Sequence, residues 1–203
     1  LAEKGVPSLG LIVATLVGGT LAAGSANAFN MVLESDLDKL MERTSERPLV
    51  TGALSKLHAA IFATVIGVLS LATFWIYTEP LATLLTAIAI GFYVIVYTIA
   101  LKRHTSQNIV WGGAAGCMPV FIGWAAVTNS LSWAAVTFFF VIFFWTPPHF
   151  WALAIKYKDD YEAAKIPMLP VIAARNIVVR NMWFHTIAMI VSSVALIYLT
   201  DLQ

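Results

Sequence analysis

Asn30, Glu34 and Asp38 stand at i, i+4 and i+8 in a stretch, NMVLESDLDKLMERTSERP, that packs eight ionisable side chains into nineteen positions. At about 100° and about 1.5 Å per residue, a helix carries these three on one stripe about 80° wide and about 12 Å long. Hard oxygen ligands spread in this way suit Mg²⁺, which keeps several waters and takes phosphate oxygens as further ligands, better than they suit a closed cage. Asp36 projects about 160° away from Asp38 and is the weaker ligand candidate. A second acidic cluster, KYKDDYE at 156–162, adds Asp159, Asp160 and Glu162. The spacing therefore predicts Asn30, Glu34 and Asp38 as the catalytic stripe, with Glu34, Asp38, Asp159 and Asp160 as metal ligands flanking one metal-diphosphate. The interleaved cations Arg43, Arg47, Lys102, Arg103, Lys156 and Lys158 are the candidates to hold diphosphate oxygens, the arginines bidentately.

These residues need a scaffold, and composition says which. The 203-residue chain is 60% hydrophobic and 11% charged, with a mean hydropathy of +0.82. Soluble domains run nearer half apolar and a quarter charged, so this chain belongs in a bilayer as an all-α polytopic transmembrane bundle. Apolar runs predict six spans, at 9–29, 57–77, 81–101, 109–128, 131–155 and 177–199. Very short turns, Thr78-Glu79-Pro80 and Asn129-Ser130, join the second span to the third and the fourth to the fifth. With alternating helices, the other three connections share one face and hold eleven of the twelve Lys/Arg, leaving only Lys4 for the opposite face. By the positive-inside rule the charged face is cytoplasmic, or the mitochondrial matrix equivalent. Eight of the eleven acids lie there too, although topology does not require acids. A net charge of +1 with no polybasic run excludes a nucleic-acid partner. Cys117 stands alone, so no intramolecular disulfide forms. The start at Leu1, without methionine or a signal-peptide pattern, reads as a piece of a longer protein.

The stretch NMVLESDLDKLMERTSERPL resembles the first signature of the UbiA superfamily of intramembrane prenyltransferases, an Asn-x-x-x-Asp-x-x-x-Asp stripe with an Arg-Thr-x-x-Arg-Pro tail. Asn30, Glu34, Asp38, Arg43, Thr44, Arg47 and Pro48 carry it. SANAFNM, LKRHTSQNIVWGGAAGCMPVFIGWAAVT and WTPPHFWALAIKYKDDYEAAKIPMLPV are similar to blocks of the haem-farnesylating branch, in order along nearly the whole chain. The resemblance implies a UbiA-type bundle of about nine spans, of which residues 1–203 form a single domain truncated at both ends. It also implies Mg²⁺ as cofactor and transfer of a farnesyl group from farnesyl diphosphate to a vinyl group of haem B. The setting would be a bacterial cell membrane or mitochondrial inner membrane, with contact to haem A synthase or a terminal oxidase assembly. His149, in TPPHFW, becomes the candidate haem contact, because Pro147 and Pro148 would break the helix there and irregular backbone at membrane depth faces protein or a cavity.

Three departures accompany the resemblance. Glu34 stands where the signature has Asp, the second cluster lacks a strict Asp-x-x-x-Asp, and His104 occupies an expected Arg position. His58, His104 and His185 read as residues near span ends with no assigned role. Most of the aromatic run 138–145 reads as packing or lipid-facing, and GGAAG at 112–116 as a close helix contact. Two other functions compete with haem farnesylation. One is prenylation of an aromatic quinone precursor, against which TPPHFWALA and IPMLP resemble the haem branch. The other is a cation transporter, which predicts charges near the bilayer midplane rather than at span ends.

Overall fold

A computed structural model describes residues 6–200; Lys4, assigned above to the opposite face, lies outside them. In chain order the helices are α1 Leu9–Leu33, α2 Ser35–Asp38, α3 Pro48–Thr51, α4 Lys56–Tyr77, α5 Pro80–Gly91, α6 Asn108–Thr128, α7 Trp133–Lys156, α8 Lys158–Ala163, α9 Leu169–Ile172 and α10 Arg175–Thr200. A π-helix, Phe92–Leu101, continues α5. Among the described residues, six helices are long and apolar enough to cross a membrane, with α5 and the π-segment counting as one, at the predicted places. Serine side chains fix several starts: Ser8, Ser55 and Ser132 accept from the backbone N–H groups of Leu11, His58 and Ala135. Pro80 opens α5 at a position where no N–H is needed.

Small residues set how closely the spans approach. Ser25 Oγ donates to the Ala63 carbonyl at 2.8 Å and Ser70 Oγ to the Gly18 carbonyl at 2.7 Å, so two buried hydroxyls stitch α1 to α4. In GGAAG, a Cβ on Gly112 would collide with the Tyr97 ring and one on Gly113 would come 2.9 Å from the Thr146 methyl, so both glycines serve close packing. Large apolar side chains such as Phe62, Trp75, Trp183 and Ile190 point outward, the pattern of a lipid-facing surface.

Cross-connections establish the alternation of the spans. At one end the backbone N–H of Leu81 donates to Asn129 Oδ1 at 3.3 Å, tying the two short turns together. Asn129 adopts φ 50°, the left-handed cap that ends α6. At the other end Arg103 reaches Asp36, and the Glu42 N–H reaches Asp160, so the three charged connections meet.

Two expectations need correction. Pro147 and Pro148 do not interrupt the fifth span: α7 runs unbroken from Trp133 to Lys156. Both prolines remove N–H donors, but a proline ring fixes φ near the helical value, so the helical path survives. His185 is not near a span end. It lies ten residues into α10, 6% exposed, among the rings of Phe144, Trp151 and Phe184.

Candidate active site

The acidic stripe forms where α1 stops. Glu34 takes φ −107° and ψ 9°, ending α1 at Leu33, and α2 restarts at Ser35. The i→i−4 bonds nevertheless run through the kink, from the Glu34 N–H to the Asn30 carbonyl and from the Asp38 N–H to the Glu34 carbonyl, each 2.9 Å. Asn30, Glu34 and Asp38 therefore keep the one-face spacing that the sequence predicts. All three are buried, Glu34 at 1% and Asp38 at 2% exposure. Asp36 faces the other way and is exposed.

Buried carboxylates need partners, since an unpaired charge out of water costs several kcal/mol, on the order of a whole protein's margin of stability. Glu34 Oε2 accepts from the Asn30 amide at 2.8 Å and from the Lys102 ammonium. Asn30 also donates to Thr98 Oγ1 at 3.1 Å. Both oxygens of Asp38 accept from Arg47 Nη1, at 2.9 and 2.8 Å. Glu34 Oε1 is buried without a hydrogen-bond partner. That orphaned anionic oxygen, beside a second buried carboxylate and an amide, fits a hard cation that keeps water and shares phosphate oxygens.

The π-segment supplies much of this neighbourhood. Its wider turn shows in bonds spanning five residues, from Thr98 Oγ1 to the Tyr93 carbonyl at 2.9 Å and from the Lys102 N–H to the Tyr97 carbonyl at 2.9 Å. Thr98 and Lys102 thereby face the stripe, and the Lys102 ammonium lies 5.9 Å from the Tyr97 ring centre. Thr98, Tyr97 and Tyr93 were not singled out from sequence; polar residues at a span end, just before Lys102, were the available signal. Asn108 was missed as well. It is fully buried, its amide donates to the Lys102 carbonyl at 3.1 Å, and its Oδ1 has no partner.

The remaining predicted residues lie around this centre. Arg103 forks onto Asp36 with two 2.8 Å bonds and also donates to the Leu33 carbonyl. The hydrogen bonds from Arg103 hold the Asp36 carboxyl below its usual range, and Asp36 in turn raises the Arg103 guanidinium. Arg43 and Lys156 flank the Tyr157 ring, 5.7 and 5.2 Å from its centre. The nearby Tyr161 is buried, and burial pushes its phenol up against the opposing effect of Arg43. Asp160 accepts from the Glu42 N–H at 3.1 Å, while Asp159 and Lys158 are exposed. Among the described residues, no three His, Cys, Asp or Glu converge on one point. The second acidic cluster thus docks against the loop after Asp38 without joining Glu34 and Asp38 in one group. His149 is exposed on α7 and stacks on Trp145, ring centres 4.4 Å apart.

A cavity of about 580 Å³ opens among α1, α4, α5, the π-segment and α6. Its polar end is marked by Asn27, one turn before Asn30, and by Tyr93, whose hydroxyl lies 3.4 Å from Asn27 Oδ1. The rest of the wall is mostly apolar, with Leu16, Phe74, Ile90, Pro119 and Ile122. The phenylalanines of 138–144 do not line it.

An apolar cavity lies between membrane helices, with its polar end at Asn27 about 10 Å along α1 from the buried Glu34, and the sequence matches the UbiA prenyltransferase family over residues 1–202. The chain belongs to the UbiA prenyltransferase family. It is 54% identical over 196 residues to the protoheme IX farnesyltransferase of Renibacterium salmoninarum, covering 97% of this chain and 62% of that protein. The protein of the same name from Streptomyces coelicolor is 53% identical over 196 residues, covering 97% of this chain and 62% of the relative. This chain therefore spans about three fifths of the length of such relatives. In three dimensions it superposes on a UbiA homologue from Archaeoglobus fulgidus bound to DMAPP and Mg²⁺, with TM-score 0.80 and 18% identity over 95% of this chain and 68% of the other. The same homologue bound to GPP and Mg²⁺ gives TM-score 0.77 and 17% identity, again over 95% and 68%. As a member of this family with six long apolar helices among the described residues, the chain is an integral membrane protein of all-α fold.

Proposed function

We propose that this chain carries the prenyl-donor site of a protohaem IX farnesyltransferase, which moves a farnesyl group from farnesyl diphosphate to a vinyl group of haem B. The observation that carries the reading is the buried pair Glu34 and Asp38, with Glu34 Oε1 unpartnered, on the same helical stretch whose preceding turns up to Asn27 line an apolar cavity. Relatives more than half identical bear that enzyme name.

Asn30, Glu34 and Asp38 would hold Mg²⁺, with Asp160 and Asp159 approaching from the second cluster. Bound there, Mg²⁺ offsets the negative charge that develops on the diphosphate as it leaves. Lys102 and Arg47, already against the two carboxylates, can turn toward diphosphate oxygens; Arg43, Arg103, Lys156 and Lys158 surround them at the same face. The apolar wall holds the farnesyl chain and excludes water from its reactive carbon. Tyr93 lines the cavity near its polar end, where an aromatic ring would stabilise positive charge on that carbon. The allylic C–O bond breaks with its electron pair leaving on the diphosphate. The haem vinyl then supplies the pair for the new C–C bond, and water adds to the resulting cation, its oxygen becoming the hydroxyl of the product and one proton leaving to solvent. His149, exposed and held flat on Trp145, is the candidate haem contact. The charged face is cytoplasmic, following its eleven basic residues.

The test incubates the full-length protein in membranes with haem B and farnesyl diphosphate and identifies the porphyrin by mass. A farnesyl-hydroxyethyl haem that requires Mg²⁺ is expected. Unchanged haem B, with the donor bound, would refute the acceptor.

A further inference from the structure

The cavity has a second end, away from the charged face. Between Asn27 and Thr15, both on its wall, α1 rises about 18 Å. At the far end the wall consists of Thr15, Leu16, Phe74 and Ile122. Phe74 and Ile122 belong to a buried cluster with Ala82, Ala125 and Ala126, so the cavity ends against solid packing. The Phe74 ring is fully buried and sits in the notch left by Gly18, where a Cβ would come within 2.8 Å of it. Pinned between helices in this way, the ring is a fixed wall. A second cavity of about 200 Å³ shares Thr15 and Leu16 with the first, and Phe74 does not line it. Leu11, which packs against the Phe74 cluster, lines that second cavity.

We infer that Phe74, seated over Gly18, is the stop that limits prenyl chain length, and that removing its ring deepens the first cavity for a longer donor. This rests on the prenyl-transfer reading, since the cavity must hold the donor's chain for its length to matter. An isoprene unit that meets the ring must displace packed helix cores, whereas a farnesyl chain ends before it. Selectivity then resides at the distal end, far from the carboxylates, and a change there alters which donor is used without touching diphosphate binding.

The experiment offers the full-length protein in membranes an equimolar mixture of geranyl, farnesyl and geranylgeranyl diphosphates with haem B and reads product masses. Phe74→Ala is expected to shift the geranylgeranyl-to-farnesyl ratio about tenfold or more toward the longer chain, the discrimination an apolar pocket gives per added group. Gly116→Leu works in the opposite sense. Gly116 lines the same cavity, and a Cβ there meets no atom within 4 Å, so the variant folds while its side chain shortens the cavity. It should favour geranyl over farnesyl by about tenfold. Parental ratios in Phe74→Ala would overturn the inference, and so would parental ratios in Gly116→Leu should Phe74→Ala fail to insert. A parent protein that prenylates with no donor would instead sink the prenyl-transfer reading itself.

Discussion

Glu34→Gln isolates the charge of the stripe from its packing, because the amide keeps the size of the carboxylate and one acceptor oxygen. In the structure Glu34 Oε2 takes bonds from both Asn30 and Lys102, and Oε1 has no partner. The glutamine oxygen can keep one of those bonds, and the NH2 group then confronts either the Lys102 ammonium or the face proposed for the cation. Losing a charge-assisted bond at a site 1% exposed should cost about 1.5–3 kcal/mol of stability. The effect on function should be larger relative to its cause. Losing a ligand or its partner lowers metal affinity by about 10–100-fold, and removing transition-state charge stabilisation costs about 3 kcal/mol, or about two powers of ten in rate. The assay measures farnesyl transfer against free Mg²⁺ for the parent, Glu34→Gln, Asp38→Asn and Asp36→Asn. Glu34→Gln and Asp38→Asn should fall about 100-fold or more at low Mg²⁺ and recover in part as Mg²⁺ rises, by mass action. Asp36→Asn should stay within a few fold, because Asp36 is exposed and engaged with Arg103 on the opposite face. Parental rates at low Mg²⁺ in correctly inserted Glu34→Gln and Asp38→Asn would refute the reasoning.

Reporters fused after Arg47 and after Lys158 should both be cytoplasmic and one after Asn129 should lie on the opposite side; agreement of all three would contradict the topology. His149→Ala should weaken haem B binding or turnover and leave farnesyl diphosphate binding nearly unchanged, with equal losses pointing to folding instead. Gly112→Ala should lower thermal stability by about 1–3 kcal/mol, because the new methyl must displace the Tyr97 ring. It should also raise KM for the prenyl donor, since that ring lies beside Lys102; an unchanged melting temperature would show that the ring moves freely.

The six spans were legible because hydropathy alone decides them, and the stripe because its four-residue spacing survives the kink at Glu34. Asp36 was read as facing away for the same reason, and it does. The partners of the stripe were not legible. Glu34 and Lys102 are 68 positions apart, and the π-turn that brings Thr98 and Lys102 to the acids leaves no period in an apolar run. The pairing of Lys102 and Arg47, the diphosphate candidates, with Glu34 and Asp38 was not legible either, being a consequence of burying the two carboxylates. The burial of His185, which was read as lying near a span end, was not legible because it depends on rings from α7 that only packing brings to it.

The central claim is that the buried stripe holds the cation and, through it, the diphosphate. Anomalous diffraction from crystals of the full-length protein grown with Mn²⁺ and a non-hydrolysable farnesyl diphosphate analogue tests this most directly. A manganese peak is expected within coordinating distance of Glu34 Oε1 and of Asp38, with the analogue's chain in the cavity lined by Tyr93 and Phe74. A bound analogue with manganese elsewhere, and Glu34 still paired only to Lys102 and Asn30, would contradict it.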